Sequence, residues 1–248
     1  MCWPAPHRHT NCRGVELALK KVAEFGRTLV LAPHPDDETI GCGGLLALLA
    51  QAGQPVRVVL VTDGTGSHRR SLAYPAPRLR ALRRREMVAA LAALGYSATT
   101  LSSLGLRDGH VPLGGEAGFA SAVSLLSRIT QRFAPDTVVM PAQDDHHADH
   151  RATQALGAAA CAAAAPGARQ LEYAVWGGTA AGPAAWRIDI QTVLHTKWCA
   201  LALHRSQHGQ VVHDDPHGFT LPQDVLDRCR APVETYCERL NRTSDATL

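Results

Sequence analysis

Thr28-Leu29-Val30-Leu31-Ala32-Pro33-His34-Pro35-Asp36-Asp37-Glu38 runs from a short apolar stretch straight into a turn of prolines, an imidazole and three carboxylates. The apolar part is too short and too β-branched for a helix, so it reads as a buried strand. Gly41-Cys42-Gly43-Gly44 follows, and Gly43 to Ala52 reads as an apolar helix. Carboxylates directly after a buried strand are costly unless a cation or hydrogen bonds compensate them. Imidazole with carboxylate suits Zn²⁺, whereas an acidic turn that merely caps the next helix is the plainer alternative. Neither GxGxxG nor GxxxxGK[ST] occurs here, so a dinucleotide or phosphate loop has little support.

Outward from this turn, strands and helices alternate. Pro55 to Thr62 reads as a second strand bounded by Asp63-Gly64, and Leu79 to Leu94 as a helix stopped by Gly95. Ser97 to Leu101 supplies a third strand, Phe119 to Phe133 a helix, and Pro135 to Pro141 a fourth strand. His150 to Ala164 is helical and ends at Pro166-Gly167. Leu171 to Trp176 and Trp186 to Ile190 read as later strands, Thr192 to His204 as a helix, and Pro232 to Leu240 as the last helix. This alternation predicts an α/β fold, a Rossmann-like and mostly parallel sheet with helices on both faces. Its active site belongs at the carboxyl ends of the strands. Residues 1–27 are expected to form a lead-in with a short helix, and 28–248 a single domain.

The fourth strand is followed by Asp144-Asp145-His146-His147-Ala148-Asp149-His150, three histidines and three aspartates in seven positions. His147 and His150 are spaced to project to one side of a helical turn, and Asp149 between them is placed to hydrogen-bond an imidazole. An acidic cap with exposed histidines would explain this segment alone. Two such clusters at two strand ends of one sheet argue for one shared site.

The remaining composition narrows the field. A net charge of +3 gives no reason to expect a nucleic-acid partner, and Arg83-Arg84-Arg85 reads as a solvated helix face. No apolar run reaches the roughly 18 residues of a membrane span. Residues 1–14 lack the apolar core of a signal peptide. The seven cysteines are odd in number and scattered, which favours reduced thiols and a cytoplasmic location. Cys42 is expected to pack as a small hydrophobe. Ser67 and His68, being adjacent, are not expected to point together. Surface positions are expected for His204, His208, His213 and His217, with His204 the best pocket candidate. Trp176 and Trp186 are expected in the core, with stacking on a sugar as the alternative.

Ala32-Pro33-His34-Pro35-Asp36-Asp37-Glu38 with Gly41-Cys42-Gly43-Gly44, and His147-Ala148-Asp149-His150-Arg151-Ala152, resemble the two metal motifs of the PIG-L/LmbE-like superfamily of zinc-dependent N-deacetylases. Val61 to Gly64, Arg83-x-x-Glu86, Leu106 to Gly109, Asp189, Lys197 and Ser206-Gln207 are weaker matches, so the likeness runs from about Thr28 to Gln207. That family acts on N-acetylglucosaminyl conjugates, including GlcNAc-phosphatidylinositol, GlcNAc-inositol, GlcNAc-malate and antibiotic aminoglycosides. The resemblance implies His34, Asp37 and His150 as ligands of Zn²⁺, for which Fe²⁺ is also suited. It implies Asp36 as general base, His147 as the group stabilising the tetrahedral intermediate with Asp149 orienting it, and Arg83 as a substrate contact. Ala148 stands where the family usually has proline, and His146 is an extra histidine. The function implied is removal of an N-acetyl group from an amino sugar. The alternatives are an amidase for a thiol S-conjugate or an N-acyl antibiotic, and a non-catalytic sugar-binding domain. The aglycone and the oligomeric state, homo-oligomer included, stay open.

Overall fold

The computed structural model describes residues 22–177 and 185–239. Most of the 1–27 lead-in and the middle of the Gly177 to Ala185 loop therefore lie outside the described residues. The described chain begins with a 3₁₀ turn, Val22–Phe25. The strands are β1 Thr28–Ala32, β2 Val56–Thr62, β3 Leu101–Leu106, β4 Thr137–Pro141, β5 Arg169–Tyr173, β6 Ala185–Asp189 and β7 Val233–Glu238. The helices are α1 Asp37–Gln51, α2 Ala76–Ala93, α3 Phe119–Phe133, α4 Ala148–Ala164, α5 Leu194–Leu201 and α6 Gln223–Arg228. No described helix is long and apolar enough to cross a membrane.

The seven strands form one sheet in the order β3-β2-β1-β4-β5-β7-β6. The first five pair in parallel, and β7 runs antiparallel between β5 and β6. Successive residues of the central strands feed opposite cores. Val30, Val58 and Val139 belong to the core that includes Leu45, Leu49 and Leu91 of α1 and α2. Leu29, Leu31, Val138 and Met140 belong to the core with Leu126 and Leu156 of α3 and α4. Both faces of the sheet are thus covered, which is why these strands read as continuous apolar runs rather than alternating ones.

The chain winds from β1 to β2 on one side and places β4 on the other, so the strand order reverses between β1 and β4. The carboxyl ends at such a reversal leave a crevice between the outgoing loops. Both His/Asp clusters leave the sheet there.

Three expectations need correction. Pro232 to Leu240 is not a helix: its described residues form β7, where Glu234 and Tyr236 are buried and their neighbours are not. That period-2 burial with Val, Thr and Tyr is strand chemistry, read too coarsely from the sequence. The third strand starts at Leu101, and Ala98–Thr100 forms a 3₁₀ turn ahead of it. Helix α1 begins at Asp37 rather than Gly43, so the acidic turn is itself the helix start.

The glycines of α1 serve packing. A β-carbon on Gly44 would sit 2.5 Å from Ile190 Cγ2, so the helix approaches that residue as only glycine allows. Gly44→Ala is expected to cost about 1–3 kcal/mol through overpacking. The check is chemical denaturation of the two proteins, and an unchanged midpoint would contradict the close approach.

Candidate metal centre

The site is assembled from three strand ends. His34, Asp36 and Asp37 follow β1, Asp108 follows β3, and Asp145 to His150 follow β4. One oxygen gathers the core of it. Asp37 Oδ2 lies 3.1 Å from His34 Nδ1 and 3.2 Å from His150 Nε2, all three side chains being almost wholly buried. Two donors about 2.0–2.1 Å from a tetrahedral Zn²⁺ are themselves about 3.3 Å apart, so these separations suit a shared cation. Both ring nitrogens of His150 are buried without a hydrogen-bond partner. An imidazole flanked by carboxylates but without a well-formed hydrogen bond among the described residues fits a site that would hold a cation.

The outer nitrogens of both imidazoles face further carboxylates. His34 Nε2 is 3.2 Å from Asp149 Oδ2 and 3.4 Å from Asp108 Oδ1. His150 Nδ1 is 3.3 Å from Asp145 Oδ2. Carboxylates in these places attract the outer nitrogens and would leave the inner lone pairs turned toward a cation. They are anchored in turn: Asp149 accepts the Gly109 amide at 2.7 Å, Asp108 accepts Gly66 at 2.8 Å, and Asp145 accepts His147 at 2.8 Å.

The charges follow from this crowding. Burial opposes ionisation of Asp37, yet the His150 and His34 imidazoles hold its carboxyl far below the usual carboxylate range. Burial works against the charge on His150, but Asp37 and Asp145 outweigh it and push the imidazole up to about 9. His34 is likewise raised, by Asp108, Asp149 and Asp37 against the effect of burial. The same carboxylates that draw a proton onto these imidazoles would also favour a cation between them.

Asp36 differs from its neighbours. It has no contact with either imidazole among the described residues and sits 3.3 Å from Arg83 Nη2. Burial drives its carboxyl up to about 7 despite the Arg83 guanidinium, close to the ideal for a general base at neutral pH. Its backbone is held at φ 133°, a conformation that L residues rarely adopt. Arg83 is also buried, donating to Pro35 O at 2.7 Å and Gly64 O at 3.0 Å. The solvated-face reading of the arginine run therefore holds for exposed Arg84 and Arg85 but not for Arg83. Its guanidinium fastens the turn that presents Asp36.

His147 caps α4, and its Nδ1 accepts the backbone N–H of Asp149 at 3.2 Å. This leaves Nε2 as the proton-bearing atom of the neutral ring. The Asp149 carboxylate, expected to orient His147, faces His34 instead. His146 is exposed and outside the cluster.

His34, Asp36, Asp37, Arg83, Asp108 and His147 line a cavity of about 310 Å³, together with Ser67, Trp176, Gln207 and Phe219. Trp176 stands edge-to-face with Phe219, with ring centroids 5.7 Å apart, whereas Trp186 is core against Phe25. Ser67 Oγ and His68 Nδ1 do meet, at 3.0 Å, because the segment curls into a turn instead of extending. His204 is neither surface nor pocket: it is fully buried, 3.4 Å from Glu38 Oε1. His213 and His217 are exposed, and half-buried His208 lies 3.0 Å from Leu201 O. Cys42 is buried, and its thiol is pushed up by that burial.

An α/β sheet with an imidazole–carboxylate cluster at its strand-order reversal belongs to a recognisable class. Over residues 29–161, more than half of the chain, the sequence matches the PIG-L family model, GlcNAc-PI de-N-acetylase, and the chain belongs to that family. It is 36% identical over 151 residues to 1D-myo-inositol 2-acetamido-2-deoxy-alpha-D-glucopyranoside deacetylase of Mycobacterium sp. (strain KMS), covering 52% of this chain and 49% of the relative. It is 30% identical over 142 residues to 2'-N-acetylparomamine deacetylase of Streptomyces fradiae, covering 53% and 51%. The chain thus spans about half the length of the curated relatives it matches. Among solved structures it resembles N,N'-diacetylchitobiose deacetylase from Pyrococcus horikoshii, with TM-score 0.68 and 22% identity over 88% of this chain and 85% of that one. At that identity the likeness is one of fold.

Proposed function

We propose that this chain is a metal-dependent hydrolase that removes the N-acetyl group of an amino sugar, with an N-acetylglucosaminyl conjugate as substrate. The observation that carries the reading is the meeting of His34, Asp37 and His150 around one buried oxygen, beside the separately held Asp36 carboxyl. Family membership and the deacetylase activities of the two relatives support the same chemistry.

An amide is a weak electrophile with a poor leaving group. Zn²⁺ held by His34, Asp37 and His150 supplies Lewis acidity toward water and toward the amide carbonyl, and Fe²⁺ suits the same donors. The chain's own groups do the rest. Asp36 takes the proton of the attacking water and returns one to the departing nitrogen. Arg83 keeps that carboxyl in place. His147, with Nδ1 engaged by the Asp149 amide, offers Nε2–H to the oxygen that gains charge in the tetrahedral state. A sugar-binding domain without catalysis has no use for a carboxyl poised beside a cation.

The test is amine release from a panel of N-acetylglucosaminyl conjugates. Release that stops on chelation and returns with added Zn²⁺ is expected. A zinc-loaded protein that frees no amine from any member of the panel rules the reading out.

A further inference from the structure

Gln207 carries a buried polar atom with nothing to bond. Glu86 of α2 accepts the Ser206 backbone N–H at 2.8 Å and the Ser206 hydroxyl proton at 2.6 Å. Having donated its single proton, Ser206 Oγ can only accept, and it accepts from Gln207 Nε2 at 2.8 Å. That chain of donors settles the orientation of the amide, because reversing it would set two acceptors against each other. The main chain of Gln207 is equally fixed, its N–H donating to His204 O and its carbonyl accepting from Leu221, both at 2.8 Å. Oε1 has no hydrogen-bond partner among the described residues, although the side chain is buried and the residue lines the cavity with Asp36, Arg83 and His147.

Buried acceptors are rarely left unmet, and a site built this way rejects ligands that bring no donor. We propose that Gln207 Oε1 is a specificity-determining atom that accepts a hydrogen bond from a ring hydroxyl of the sugar, at a position other than the acetamido group. This rests on the amino-sugar reading above. Gln207 forms no hydrogen bond with His34, Asp37 or His150 among the described residues, and with the acetamido group placed against those three by the reading above, a ring hydroxyl is the group left for Oε1. Arg83 Nε is a second buried atom of the same cavity without a partner, and it is a donor. A cavity with one free acceptor and one free donor matches hydroxyls, which both donate and accept. Glu86 and Ser206 act through Gln207 and are positioning residues.

The experiment compares kcat/KM of the zinc-loaded protein for methyl N-acetylglucosaminide and for each of its monodeoxy analogues, in the wild type and in Gln207→Met. The wild type is expected to prefer the parent over one analogue by at least about 10-fold, and the variant to lose nearly all of that preference. A merely structural role would slow all substrates alike and leave the preference intact, which overturns the inference. A wild type indifferent to every hydroxyl overturns it too, while leaving the deacetylase reading standing. If no glycoside is hydrolysed although a simple acetamide is, the amino-sugar reading fails and takes this one with it. Ser206→Ala provides a second measurement should Gln207→Met fold poorly. It frees the amide to turn and is expected to shrink the same preference at unchanged zinc content, and a full preference in that variant rejects the positioning.

Discussion

His150→Ala is expected to purify without bound zinc and without activity, its affinity for the ion reduced by more than about 100-fold. Three charges explain the size of the effect. Asp37 lies 3.2 Å from His150 Nε2 and Asp145 lies 3.3 Å from His150 Nδ1, one on either side of a buried ring. Removing the imidazole takes away one donor and leaves Asp145 facing a void, so the remaining His34 and Asp37 cannot close around a cation. His34→Ala is expected to behave alike, because it frees Asp149 and Asp108 in the same way. Metal content by elemental analysis is the measurement, and stoichiometric zinc in either variant would dissolve the ligand set.

Asp36→Asn is expected to keep its zinc and lose about 10²–10⁴-fold in kcat. The amide is nearly isosteric and can still meet Arg83 through its oxygen, so the pocket survives while the proton acceptor is gone. Asp36→Gly separates chemistry from strain. At φ 133° an L residue costs about 1–3 kcal/mol, and glycine relieves much of it. This variant is therefore expected to be inactive yet to melt about 2–4 °C higher. Full turnover in Asp36→Asn, or a lower melting point in Asp36→Gly, contradicts the base or the strain respectively.

Most of the architecture was legible in the sequence because its signals are local. The apolar run before Pro33 and the β-branched run before Asp63 announce buried strands, and α3 keeps the bounds Phe119 to Phe133 read from periodicity. The last segment reads as a helix because its β-formers, Val233, Thr235 and Tyr236, make only a short pattern, which pairing with the distant β5 and β6 turns into a strand. At the site, the two His/Asp clusters after strands stand out in the sequence, and it is the resemblance to the family that singles out His34, Asp37 and His150 within them. Their carboxylate supports could not be paired. Which imidazole Asp149 meets depends on the path of the Asp108 to Val111 loop, which delivers the amides that anchor it. Likewise, nothing near His204 in the chain discloses that Glu38 will be its neighbour.

The Asp145 carboxylate has a second job. The oxygen facing His150 Nδ1 also receives the backbone amides of Val175 and Trp176, at 3.3 and 3.2 Å. The loop that brings an aromatic to the cavity is thus moored through main-chain amides as well as through the Trp176–Phe219 contact. Exchanging the side chain at position 176 alters what the cavity admits and leaves the two main-chain bonds to Asp145 in place. Substrate range can diversify at that position while the ion-holding apparatus stays as it is, and a library confined to residue 176 is the economical place to look for new acceptance.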